Sequence, residues 1–146
     1  MATVKEVAGQ FAILLPKLLR GVKSDFLTSV HVTSSQMVIL MAIHDRGRSN
    51  IGELARELNV SMPTVTGLSD RLVRGGYLKR SGDPDDRRVI ILGLTNKGRK
   101  TINKILDTAR NRWAEVLVEL TYPERAAFLK MLKKVVASVS KRSAGA

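Results

Sequence analysis

Residues 51–98 read IGELARELNVSMPTVTGLSDRLVRGGYLKRSGDPDDRRVIILGLTNKG, and this stretch decides the fold. It opens on Ile51, Leu54, Ala55 and Leu58, spaced as one face of a short helix. Asn50 stands just before that helix with Glu53 three residues on, the spacing of a capping box. Asn59-Val60 then predicts a tight turn, because asparagine tolerates the left-handed backbone region. Ser61 is placed to cap a second helix with Pro63 in its first turn, and that helix runs to about Arg74 before Gly75-Gly76. The apolar period then changes. Tyr77 to Ser81 and Val89 to Leu92 read as short strands, and Gly82-Asp83-Pro84-Asp85-Asp86 between them is turn chemistry. Two helices on a tight turn, followed by a two-stranded wing, form a winged helix-turn-helix, a module whose geometry fits duplex DNA.

Placing the second helix at about 100° per residue puts Val65, Leu68 and Leu72 on its inner face. Pro63, Thr66, Gly67, Asp70 and Arg74 then lie roughly opposite, on a face that the width of the major groove accepts. The free N–H groups at the helix N-terminus suit a phosphate, and Ser61 and Thr64 add hydroxyls there. The candidate DNA contacts are therefore Ser61, Met62, Pro63, Thr64, Thr66, Gly67, Asp70, Arg71 and Arg74, with Arg87 and Arg88 on the wing.

Composition points the same way. Twenty-five Lys and Arg stand against 13 acids in 146 residues, a formal charge of +12 and the electrostatic footprint of a polyanion-binding chain. Duplex DNA, RNA and an anionic membrane surface all satisfy that footprint. There is no cysteine, which excludes disulfides, thiolate zinc sites and thiol redox sensing. Met1 to Ala12 lacks the layout of a secretory signal, and no window approaches a membrane span, so the expected location is the cytoplasm.

The flanks read as helices. Val7, Phe11, Leu14, Leu15, Leu18, Leu19, Val22 and Phe26 recur at three and four residues, with Pro16 expected to kink the helix they form. Thr33 and Gln36 have capping-box spacing ahead of Val38, Leu40, Met41 and Ile43, and Asp45-Arg46-Gly47 ends that helix. A long helix from about Thr95 carries Ile102, Ile105, Leu106, Trp113 and Leu117 on one face. Thr121 and Glu124 form another capping box, and Phe128, Leu132, Val135 and Val139 stripe the last helix, with Ser143 to Ala146 as a frayed end. The fold class is α+β and mainly helical. Residues 1–146 form one domain, with a DNA-binding lobe at 33–98 and terminal helices at 1–30 and 100–146. Those terminal stripes lack a globular partner in so short a chain, which predicts a homodimer and a pseudo-palindromic DNA site.

The quoted stretch resembles the core of the multiple-antibiotic-resistance regulator (MarR) family, above all in Asp86-Arg87-Arg88 followed by Leu94-Thr95 and Gly98. The likeness is close over Ile51 to Gly98, and the order of flanking helices extends it over nearly the whole chain. It implies a dimeric regulator, usually a repressor released by a small ligand, whose interlocked terminal helices form the dimer. It further implies that the helix matching Ser61–Arg74 reads the major groove and that Arg88 reaches the adjacent minor groove, oriented by Asp86. Arg87 is expected to be a neighbouring phosphate contact. One position departs: where many members carry arginine on the recognition helix, this chain has Gly67.

Other chemistries find little support. Asp83, Asp85 and Asp86 sit in a turn with two arginines following at once, a wing tip rather than a metal cluster. His31 and His44 are the only histidines, and no metal or cofactor is expected. No phosphate-binding glycine loop, zinc-protease motif or nucleophile motif occurs, so the chain is read as no enzyme. The family resemblance implies an effector pocket between the dimer helices and the reading lobe; Phe26 to Met41 lies at that junction, and His31, Gln36, Met37 and Met41 are its candidates for holding a small apolar or phenolic anion. The competing functional reading is an architectural or weakly specific DNA-binding protein, separable by comparing specific with non-specific affinity.

Overall fold

The computed structural model describes the backbone of residues 1–28 and 30–144, and side chains there except at 22–28 and 143–144. Val22 and Phe26 of the first apolar stripe therefore lie outside the described side chains. The element order is α1 (Val4–Thr28), α2 (Ser34–Arg46), β1 (Arg48–Asn50), α3 (Ile51–Leu58), α4 (Met62–Arg74), β2 (Leu78–Gly82), β3 (Ile90–Leu94), α5 (Asn96–Leu117) and α6 (Tyr122–Ala144).

Local chemistry accounts for the helix boundaries. The Thr33 hydroxyl accepts from the Gln36 N–H, while the Gln36 side chain accepts from the Thr33 N–H at 2.9 Å. Asn50 and Glu53 close the same reciprocal box at the start of α3. Gly47 ends α2 at φ +81°, where a side chain would be strained. At the head of α6 Glu124 reaches back to the Thr121 N–H at 2.7 Å. Pro16 lies inside α1 without ending it. Ser143 and Ala144, expected in a frayed end, belong to α6, and Gly145 and Ala146 lie outside the described residues.

The sheet has an extra strand. β1 pairs antiparallel with β3, and β3 with β2, giving the order β1-β3-β2. β1 was not legible because three residues, Arg48-Ser49-Asn50, carry no apolar alternation. Its one inward side chain is Ser49, which is buried and donates to Glu53 at 3.0 Å. The wing strands sit one or two residues later than the sequence reading, at Leu78–Gly82 and Ile90–Leu94. Tyr77 instead supplies a carbonyl to the joint with α5.

The core lies inside the reading lobe. Ile39, Leu40 and Ile43 of α2 meet Leu54, Val65, Leu72, Leu78 and Leu92, all nearly inaccessible to water. Ile102 and Ile105 also belong to it, so the first half of α5 is part of the lobe although residues from 100 onward were assigned to the dimer region. The terminal helices contrast sharply. Every described side chain of α6 is exposed, and among the described side chains of α1 only Leu15 is even half-buried.

Candidate nucleic-acid interface

The helix-turn-helix is set by two caps and one left-handed residue. Asn59 adopts φ 51° and its N–H reaches the carbonyls of Ala55 and Arg56, which closes α3. Val60 N–H then bonds to Ala55 O at 3.1 Å, and Ser61 caps α4 by accepting from the Thr64 N–H. Pro63 needs no N–H partner in that first turn.

On α4 the buried residues are Val65, Ser69 and Leu72, while Leu68 is half-buried against the core. Ser69 takes a place the apolar stripe did not assign, and its hydroxyl is buried without a partner. Ser61, Met62, Pro63, Thr64, Thr66, Gly67, Arg71 and Arg74 are all exposed, so eight of the candidate contacts share the open side of the lobe. Asp70 is half-buried and forms an ion pair with Arg80 of β2, a partner the sequence reading missed. Strand alternation was the available signal for Arg80, since residues two apart share a face and Leu78 is buried.

The wing tip is a small hydrogen-bonded loop. Asp83 N–H donates to Val89 O at 3.0 Å, and the Asp83 carboxylate accepts from the Asp85 N–H at 2.8 Å. The Asp86 carboxylate accepts three bonds from one residue: Arg88 N–H at 3.0 Å, Nε at 3.1 Å and Nη2 at 3.2 Å. The two side-chain contacts form a two-pronged pair, in which a planar carboxylate fixes the guanidinium fork. The Arg88 guanidinium, and secondarily its backbone N–H, hold the Asp86 carboxyl below its usual range. The Arg88 side chain is 90% exposed although its guanidinium is held by Asp86 through Nε and Nη2. Arg87 is exposed beside it.

Behind the reading face, the exit of α4 is locked to the entry of α5. Thr95 caps α5, its N–H bonds to Tyr77 O at 3.0 Å, and its hydroxyl donates to the carbonyls of Gly76 and Tyr77. Lys97 Nζ donates to Gly75 O at 2.7 Å and lies 4.5 Å from the Tyr77 ring centroid. Gly98 is pressed so tightly against Tyr77 that any Cβ there would collide with its carbonyl oxygen.

Next to this joint lies an open cavity of about 480 Å³, lined by Val30, His31, Tyr77, Lys97, Lys100, Thr101 and Lys104. Of the four candidate ligand residues, only His31 lines it. The Gln36 side chain is taken up by the cap of α2, and Met37 and Met41 pack against the core. The missed residues had a signal: Lys97, Lys100 and Lys104 recur at three and four residues and so share one face of α5.

A helix-turn-helix with an antiparallel wing and long flanking helices defines the winged-helix class of DNA-binding regulators. The model of the MarR family matches residues 32–90. The HTH-type transcriptional repressor NicR of Pseudomonas putida is 34% identical over 107 residues, 73% of this chain and 68% of that protein. A MarR family protein from Bacillus stearothermophilus superposes with a TM-score of 0.83 at 25% identity, covering 95% of this chain and 99% of that one. BpsR of Bordetella bronchiseptica, whose DNA binding is regulated by 6-hydroxynicotinic acid, is 26% identical with a TM-score of 0.66, over 87% and 98% of the two chains. The chain belongs to the MarR family of transcription regulators. These relatives are regulators, not enzymes.

Proposed function

We propose that this protein is a sequence-specific repressor that binds a pseudo-palindromic operator as a cytoplasmic homodimer and is released by a small apolar or phenolic anion. The observation that carries this reading is the tethered wing arginine standing beside an exposed recognition-helix face. Arg88 extends toward solvent with its guanidinium already oriented by Asp86, which reduces the rotamer entropy lost when it enters a minor groove. Eight exposed residues of the Ser61–Arg74 segment supply the major-groove surface.

The release step is supported by the cavity at the α4–α5 joint. Three lysines, His31 and Thr101 line it together with Val30 and Tyr77, a combination that suits an aromatic carboxylate or phenolate. The similarity to BpsR, regulated by a hydroxylated aromatic acid, favours the same ligand class.

The experiment is a selection of bound fragments from random duplex DNA, followed by affinity measurement for selected and scrambled duplexes at physiological salt. A repressor gives a ratio of at least about a thousandfold, whereas an architectural protein gives nearly equal affinities. Titrating benzoate and phenol into the operator complex then tests release, and unchanged affinity overturns that part of the reading.

A further inference from the structure

The front of the exposed α4 face differs from its last turn, where Arg71 and Arg74 stand. Residues 61–70, SMPTVTGLSD, contain no arginine, lysine, asparagine or glutamine, the side chains that form paired hydrogen bonds with guanine or adenine edges. The one charged group among them, Asp70, is ion-paired through Oδ1 with Arg80, which offsets its charge. The Thr66 hydroxyl donates to Met62 O at 2.9 Å inside the helix, which leaves its methyl and lone pairs for anything outside. Ser61 and Thr64 share one hydroxyl hydrogen between them across 2.7 Å. Beside these hydroxyls, the exposed groups at the front of the helix are apolar: the Met62 thioether, 55% exposed, the Pro63 ring and the Thr66 methyl.

Gly67 sits in the middle of this surface, and nothing in the chain explains it. A Cβ there would meet no atom within 4 Å, and the backbone requires no positive φ. A glycine inside an exposed helix costs about 1 kcal/mol relative to alanine. A residue that destabilises its own helix and relieves no crowding within the chain is explained by close approach to something outside it.

We propose that Met62, Pro63, Thr66 and Gly67 read thymine methyl groups in the major groove, with Gly67 as the gap into which a methyl seats against the helix backbone. The half-site under α4 is then rich in A·T pairs and is recognised by apolar contact rather than by guanine hydrogen bonds. Arg71 and Arg74, at the far end of the helix, serve the phosphate backbone. This inference rests on the reading of the protein as a sequence-specific regulator.

The test uses the full-length protein and the selected operator, with each thymine replaced in turn by deoxyuridine, which keeps pairing and removes only the methyl. Two or more positions per half-site are expected to lose about fourfold in affinity each, the scale of one buried methyl group. Replacing each guanine by an analogue without its major-groove ring nitrogen is expected to leave affinity unchanged. Gly67→Ala is expected to melt at a higher temperature than wild type and yet bind the operator at least about fivefold more weakly, with that loss shrinking on the deoxyuridine duplex. Uniform indifference to deoxyuridine overturns the proposal, as does a guanine dependence under α4 or a Gly67→Ala protein that binds like wild type. If wild type itself shows no sequence preference, the regulator reading fails and takes this inference with it. A preference that survives full deoxyuridine replacement overturns the inference alone.

Discussion

Ser69 and Asp86 are the two residues whose surroundings most clearly separate packing from recognition. The Ser69 hydroxyl is buried on α4 without a hydrogen-bond partner, and an unsatisfied buried polar group is destabilising. Ser69→Ala is therefore expected to raise stability by about 1 kcal/mol, read as an increase of about 3 °C in melting temperature. A clear decrease would show that the hydroxyl has a partner. Asp86 tests recognition instead. Asp86→Ala removes a negative charge from the wing proposed to face DNA, so simple electrostatics predicts tighter binding. The carboxylate, however, fixes Arg88 through three hydrogen bonds, and losing that orientation predicts weaker binding. The expected result is weaker operator binding at fixed salt with an unchanged melting temperature, because the wing tip supports no core. Arg88→Ala is expected to cost roughly 1–3 kcal/mol of operator affinity in the same assay.

Among the elements, helix caps and the α4–α5 joint determine how the reading face is held. Glu6, Glu53 and Glu124 each reach back three residues to a backbone N–H, and each carboxyl is held below its ordinary range chiefly by that bond. Glu53 is further stabilised as a carboxylate by the Ser49 hydroxyl and by Arg46 and Arg56. A carboxyl whose folded pKa is depressed contributes stability that is fully present above its unfolded pKa and is lost as pH falls through the folded value. The melting temperature should thus fall as the solution is acidified below the ordinary glutamate range. Glu53→Gln should flatten part of that fall, since the amide still accepts from Asn50 but does not titrate. A wild-type and variant pair with parallel acid profiles would remove Glu53 as a source. At the joint, Gly98→Ala must push α5 off the Tyr77 carbonyl. It is expected to cost roughly 3 kcal/mol in urea unfolding, the upper range for overpacking, and to lower operator affinity as well.

Across the whole molecule the question is what covers the terminal helices. Helices α1 and α6 are 25 and 23 residues long, yet their described leucines, valines and phenylalanines are largely exposed in the single chain. Phe11 is 53% exposed, Leu132 46% and Val135 51%. Helical stability in proteins comes mostly from packing an apolar face, and a two-fold interface between copies supplies that packing. Sedimentation is expected to give the mass of two chains at micromolar concentration. Leu132→Glu should shift the species toward monomer, lower the melting temperature and reduce operator affinity together. A folded monomer of the wild-type chain at that concentration would contradict the homodimer.

Local physics made much of this protein legible without its structure. The caps at Thr33, Asn50 and Ser61 and the left-handed Asn59 are encoded within four residues of where they act, so sequence spacing alone places them. The two apolar periods separate the helices from the wing for the same reason. Gly98 is different: its need for no side chain arises from Tyr77, which precedes it by a whole hairpin. The strand β1 exists because β3 offers it a hydrogen-bonding edge, not because Arg48-Ser49-Asn50 prefer an extended form. The Asp70–Arg80 pair and the cavity shared by His31, Tyr77 and the three lysines of α5 join residues from separate elements. What spans one turn of chain was written in the sequence, because its partners are neighbours along it. What depends on one element approaching another was decided only by the tertiary fold, because side-chain packing sets those distances and no spacing along the chain records them.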